Sequence, residues 1–316
     1  MSQYTYAEKL GFPKGSKVLI LHVDDAGMSK ESNEGVFESI EKGVANSFSI
    51  MMPCPWVPEI FSYLKNNPAA DAGLHLTMNA EWKDYRWPPV AGPQEVPGLI
   101  DPQGAMWSGV LEVVLHAKPN EIAKEIEAQI RRSRRAGWEP THLDSHMGTL
   151  FAQPSFMEQY LTIGMREKIP VMFPGGHATL ASKTNGGILT VQQAQKIGER
   201  LWQAGLPVID DLHNFSYGFT YPKQKVSDQE LQKIAAENYI RSFKTLEPGI
   251  TMVIMHCSVA ADHFSHISSS GTIRRADWLA MQSPELKKYL QENNIILTTW
   301  RELMERRKKL ISASGG

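Results

Sequence analysis

Two adjacent carboxylates, Asp24 and Asp25, close the apolar run KVLILHV at residues 17–23, and Ala26 and Gly27 follow them. An apolar run of this kind predicts a strand buried on both faces, and such strands do not usually end in paired acids. In sheets and barrels built of βα units, ligands meet the carboxyl ends of the strands, so the pair stands where those folds place chemistry. Neighbouring strand residues point to opposite faces, which lets one carboxylate hold a metal while the other handles protons. Two further strand-like runs end the same way. AGLHLT at 72–77 delivers His75, and THLDSHMG at 141–148 delivers His142, Asp144 and His146 at alternate positions, hence on one face. One Asp with two His makes a facial set of N and O donors suited to Zn²⁺, Mn²⁺, Ni²⁺ or Fe²⁺, with positions left for water and substrate. A late apolar run, 250–255, ends in His256.

The elements that position these residues read as alternating strands and helices. After the first strand, Ser32 is the expected N-cap of a helix to about Lys42, with Gly43 beyond its end. Strands are expected at 44–52, into His75, at 169–173, at 207–210, at 250–255 and at 295–299. Helices are expected from Asn120 through Ile122, Ile126 and Ile130, at 155–166, at 191–204, from the capping box of Ser227 and Glu230 toward Phe243, at 284–293 and at 300–309. From Met78 to Leu115 the pattern breaks, with Pro88, Pro89, Pro93, Pro97 and Pro102 among Trp82, Trp87 and Trp107. A loop that long on a compact domain is usually functional. Its aromatics suit either a sugar-stacking wall or a small core of the loop's own. A Gly-rich stretch at 174–187 is a candidate lid. About eight strands separated by helices, without a composition break, predict one α/β domain over 1–316 with an irregular (β/α) barrel.

Composition narrows the function. The chain has 316 residues, 42% hydrophobic and 21% charged, with net charge −1, enough to bury a full core and without the basic stripe that nucleic acid requires. Cys54 and Cys257 give no disulfide framework and no CxxC, as fits a reducing compartment. No segment approaches the roughly 20 apolar residues of a bilayer span, and the opening MSQYTYAEKLGFPKG has no apolar h-region, so a cytoplasmic protein without membrane partners is the expectation. GxGxxG, GxxxxGK[ST], GxSxG and HExxH are all absent, which argues against Rossmann, P-loop, serine-hydrolase and zincin chemistry.

The order VDDAGMSKESNEGVFESIEKGVANSFSIMM, GLHLT, KEIEAQI, PTHLDSH, a late strand ending in His, RADWLAM and IILTTW resembles the YdjC-type carbohydrate deacetylases, relatives of the polysaccharide deacetylases. The resemblance implies an irregular (β/α) barrel and one divalent metal, zinc or magnesium first, with manganese, nickel, iron or cobalt as alternatives. It implies Asp25, His75 and His146 as ligands, Asp24 as general base and His256 as general acid. The substrate would be a small N-acetylated sugar or an oligosaccharide, and the fold leaves room for a homo-oligomer. Alternatives are a phosphoesterase on the same barrel and a sugar-binding protein without catalysis. The chain departs from the family in reading DSHMGTLF for DSHxHxH and His256-Cys257-Ser258 for His-Pro-Gly. Asp144 suits either the orienting of an imidazole or a helix or turn cap, and Arg275 is a candidate charge partner of Asp24, a place on a helix surface being the commoner case for an Arg. His22 and His142 read as structural; His213, His263 and His266 receive no role.

Overall fold

β1, Lys17–Ala26, runs through the centre of the protein and is buried from Val18 onward. The computed structural model describes residues 5–184, 189–222, 224 and 226–314. Alternation sorts the side chains of β1 into two layers. Leu19, Leu21 and Val23 join the larger cluster, which takes in Val36, Ile60, Ile126 and Tyr239 from the surrounding helices. Val18 and Ile20 face a smaller cluster with Met172, Ile209, Leu212, Ile250, Met252 and Ile254. That second cluster is the barrel interior. His22 and Asp24 continue the same even-numbered series upward from it.

The strands are all parallel. β2 (Ser47–Ile50), β3 (Ala72–Leu76) and β4 (Leu143–Ser145) lie to one side of β1, and β6 (Gly249–Met255) then β5 (Asp211–His213) to the other, in the order β4-β3-β2-β1-β6-β5. β7 (Ile296–Leu297) pairs with the start of β1 at Val18 and Leu19. Residues 169–173 and 207–210, expected as strands, instead make single bridges, Leu143 with Val171 and Pro174 with Ile209. Pro170, Pro174 and Pro207 supply no N–H to a ladder, so pairing there cannot extend. These bridges still connect β4 to β5 and close the curled sheet. The irregular barrel of the sequence analysis is therefore present, most weakly laddered between β4 and β5.

Helix starts differ from expectation by a turn or less. Ser29, not Ser32, caps Lys30–Glu41, its Oγ accepting from Ser32 N at 3.2 Å. The helix expected from Asn120 spans Pro119–Arg135 with Lys118 at its N-cap, whose N–H donates to Glu121 at 2.7 Å. Among the described helices of seven residues or more, three were not legible, Val57–Asn66, Val110–His116 and Gly271–Met281; none has a side-chain cap to announce it. The candidate lid at 174–187 has a helical turn at Ala181–Thr184, and 185–187 lie outside the described residues. No helix among the described residues is long and apolar enough to cross a membrane.

The irregular excursion is held down from beneath by buried acids of one helix, among them Glu121, which accepts from Gly98 N at 2.7 Å. Glu125, on Pro119–Arg135, accepts from Val90 N at 2.9 Å, Ala91 N at 2.8 Å and Gln129 Nε2 at 2.8 Å. Two of the loop's tryptophans tie its own backbone: Trp87, in a small cluster with Met106 and Ala80, donates from Nε1 to Asn79 O at 3.1 Å, and Trp107, against the main core, donates to Gly98 O at 2.9 Å. Trp82 differs, since it lines the central cavity. Glu125→Ala leaves two backbone donors without a partner and is expected to cost about 1–3 kcal/mol. Chemical denaturation measures this, and unchanged stability would show that the loop is anchored elsewhere.

Candidate active site

The end of β1 breaks its own alternation. Asp25 takes φ 65°, Gly27 takes φ 86°, and the pairing of β1 with β2 shifts register between Val23 and Ala26. A non-glycine residue at positive φ is uncommon and marks a local constraint. Its consequence is that Asp24 and Asp25 do not face opposite ways, as strand geometry alone predicts; both line one cavity. His75 Nε2 lies 3.3 Å from Asp25 Oδ1 and 3.7 Å from Asp24 Oδ2. His146, at the end of β4, brings Nδ1 to 3.3 Å from the same Asp25 Oδ1.

Each imidazole is held from behind. His75 Nδ1 meets Asp144 Oδ1 at 2.6 Å, and His146 Nε2 meets Glu81 Oε2 at 2.9 Å. The remaining nitrogens of both rings then face Asp25, and the rings cross at 74° with centroids 5.1 Å apart. The partner expected of Asp144 is thus His75, while Glu81, in the irregular loop, had no sequence signature. Beneath them His22 Nε2 sits 3.0 Å from Asp144 Oδ2 and 3.2 Å from Asp24 Oδ1, and its Nδ1 reaches Ser47 Oγ at 2.9 Å. His22 is therefore more than a strand filler: it bridges the two acids. His142 packs on Trp300 with rings 5.3 Å apart and against Gly73, where an added Cβ would lie 2.4 Å from the imidazole.

The cationic partner is Arg274, not Arg275. Arg274 reaches Asp25 Oδ2 at 2.7 Å, whereas Arg275 pairs with Asp228 at the surface. Both ride on Gly271–Met281, and adjacent helix positions point about 100° apart, so only one can turn inward. His256, just past β6, places Nε2 3.8 Å from Asp24 Oδ2, and its backbone N–H donates to Asp277 Oδ2 at 3.0 Å. Its ring also lies edge-on to Tyr217 at 4.7 Å. His213 is spent on Ser242 Oγ at 2.8 Å, away from the donor cluster, and the side chain of His263 lies outside the described residues.

Burial opposes charge throughout the site, and the neighbours decide the outcome. Asp25 loses solvation, yet Arg274, His146 and His75 hold its carboxyl well below the ordinary carboxylate range. Burial lowers His22, but Asp144 and Asp24 push it up to about 9. His146 is likewise pulled down by burial and raised by Glu81 and Asp25 to about 9. His256 goes the other way, pushed by burial down to about 4.

The donors fit a divalent ion. Asp25, His75 and His146 offer ligand atoms that lie within 4.8 Å of one another, and Asp25 Oδ1 faces a nitrogen of each imidazole while Arg274 takes Oδ2. Two further sets meet the same distance, His22 with His142 and Asp144, and Asp24 with His75 and Asp144. Only in the first do all three residues line the cavity, so only that set offers an ion a route to substrate. An ion there would have two neutral imidazoles and one carboxylate, the donor chemistry of zinc and similar metals.

Comparison with known proteins agrees in extent. The profile of the YdjC-like proteins matches residues 18–292, from β1 past the Arg274 helix. The chain belongs to the YdjC-like family. Among curated relatives, the carbohydrate deacetylase of Thermoanaerobacter pseudethanolicus is 26% identical over 284 residues, covering 90% of this chain and 98% of that protein. The carbohydrate deacetylase of Thermus thermophilus is 25% identical over 301 residues, covering 94% and 97%. A crystal structure from Enterococcus faecalis V583, provisionally described as a cellobiose-phosphate cleavage protein, superposes with a TM-score of 0.71 at 19% identity, covering 91% of this chain and 99% of that one. It shares the fold of this YdjC-like chain.

With imidazole pKa values raised above the unfolded value near 6.5, the carboxylate pairing contributes stability in full below about pH 6.5 and loses it as pH rises through about 9. Chelator-stripped protein is therefore expected to melt at a lower temperature at pH 9 than at pH 6.5, and His22→Asn to reduce that difference. A pH-independent melting temperature over this range would contradict the pairing.

Proposed function

We propose that the chain is a hydrolase that removes the acetyl group from an N-acetylated sugar, using one divalent ion, zinc or magnesium, held by Asp25, His75 and His146. The observation that carries this is the convergence of five groups from four strand ends, Asp24, Asp25, His75, His146 and His256, on the wall of one cavity. The names of the curated relatives, carbohydrate deacetylases matched over nearly their whole length, support the same reaction. A phosphoesterase would need further cations for its substrate. Among the described residues Arg274 is the only Lys or Arg lining the cavity, and Asp25 already engages it.

The bound ion supplies Lewis acidity to the acyl carbonyl and to the attacking water. The residues do the rest. Asp144 and Glu81 fix which nitrogen of His75 and of His146 faces the ion. Asp24 is free on the cavity side to accept the proton of the attacking water, and His22 beneath it holds the carboxylate in place. His256 is neutral at rest. Negative charge developing on the substrate raises its basicity, so the proton that Asp24 took from water passes to His256 Nε2, 3.8 Å from Asp24 Oδ2, as the tetrahedral adduct forms. His256 then protonates the departing amine. Asp277 fixes the backbone from which His256 projects, while Tyr239 holds Asp277 at 2.7 Å.

Acetate release from a panel of N-acetylated sugars tests the reaction, and paired variants test the roles. Asp24→Asn is expected to keep metal at wild-type stoichiometry and to lose turnover by about 10²–10⁴-fold. Asp25→Asn is expected to lose the metal. The reverse pattern would exchange the two roles, and no acetate from any sugar would refute the reaction.

A further inference from the structure

We propose that the substrate carries an aliphatic chain, which lies in an apolar arm of the cavity beside the donor cluster; this rests on the deacetylase reading above for the reaction at the cluster. The cavity measures about 770 Å³, toward the upper end of the ~300–1,000 Å³ of ligand pockets. Its walls are unlike those a bare sugar requires. Phe151, Met157, Met172, Phe173, Leu212 and Ile254 line it together, and these six offer no N–H or O–H donor and only two thioether sulfurs as weak acceptors. Sugar hydroxyls against that wall would leave water without new partners.

The polar side chains that do reach the cavity are largely spoken for. Ser182 donates to Thr179 O at 3.1 Å, and Thr190 caps its own helix through Gln193 N at 3.2 Å. Ser270 accepts from Arg274 Nε at 2.8 Å and lies 2.7 Å from Ser268 Oγ, so this group belongs with Arg274 and Asp25. Asn214 and Tyr217 are exposed. Among the described residues polar recognition is thus concentrated at the donor cluster, Trp82 and the exposed residues, and the wall of Phe151, Met157, Met172, Phe173, Leu212 and Ile254 is hydrocarbon and thioether.

The position of the arm follows from the fold. Met172, Leu212 and Ile254 belong to the barrel-interior cluster and line the cavity; Met172 lies in the segment that closes the barrel between β4 and β5 by single bridges, Leu212 on β5 and Ile254 on β6. The helix Val191–Gln203 contributes Ala194 to the wall. An aliphatic chain is the occupant that satisfies such a wall while the attached amide stays at Asp24 and His256. It can enter as an acyl group longer than acetyl or as an alkyl group on the sugar's anomeric oxygen.

Two ligand series separate these sources: N-acylglucosamines from acetyl to octanoyl, and alkyl glycosides of N-acetylglucosamine from methyl to octyl, all below micellar concentrations. Calorimetric binding to the chelator-stripped protein and acyl release by the metal-loaded protein are both read. Affinity is expected to rise about four-fold per added methylene in one series, with an increasingly negative heat-capacity change. The rising series identifies the source. Ala194→Phe is expected to flatten that slope, and Met157→Trp reads the same wall should the first variant not fold. Chain-independent affinity in both series, with acetate still released, overturns this inference and spares the reaction. Affinity rising with chain length, without release from any compound, supports the chain and refutes the reaction.

Discussion

Three carboxylates, Asp24, Asp25 and Asp144, are buried together at one end of the barrel, and the rest of the site is arranged around the need to offset them. Buried negative charge is costly unless paired and hydrogen-bonded. Arg274 meets Asp25 from one side, His75 and His146 from the other, and His22 spans Asp24 and Asp144 from below. Removing any one of these partners leaves a carboxylate exposed to its neighbours' repulsion. A divalent ion held by Asp25, His75 and His146 would take over part of that role and leave the imidazoles as neutral ligands.

The fold brings the charges together through the end of β1. The positive φ of Asp25 and the register shift against β2 turn two consecutive side chains into one cavity. β3 and β4 pair in register, His75 opposite Asp144, and that register puts the orienting acid beside the imidazole it holds. The helix Gly271–Met281 then delivers both Arg274, to Asp25, and Asp277, to the backbone of His256. One helix thereby sets the charge of one candidate ligand and the position of the candidate acid.

Much of this was legible in the sequence because strand ends are where a βα barrel exposes side chains. Asp24, Asp25, His75, His146 and His256 each stand at the end of a short strand-like run, and all five reach one cavity. What was not legible depended on geometry that no local pattern encodes. Strand alternation sent Asp24 and Asp25 apart, because a single residue at positive φ is invisible in the sequence. Arg274 was passed over, and Arg275 weighed instead with a surface place the commoner case for it, because nothing in RRADW says which neighbour on an uncapped helix turns inward. Glu81 lies in a loop without periodicity, and His22 looked like one more residue of a buried run. Residues 169–173 and 207–210 have strand composition, but their prolines limit them to single bridges.

The central claim is that one ion binds between Asp25, His75 and His146, at the cavity wall. Anomalous diffraction from crystals of the zinc-loaded protein measures this directly. The account predicts a single strong peak bonded to Asp25 Oδ1, His75 Nε2 and His146 Nδ1. A peak among His22, His142 and Asp144, the buried set that does not line the cavity, would contradict it.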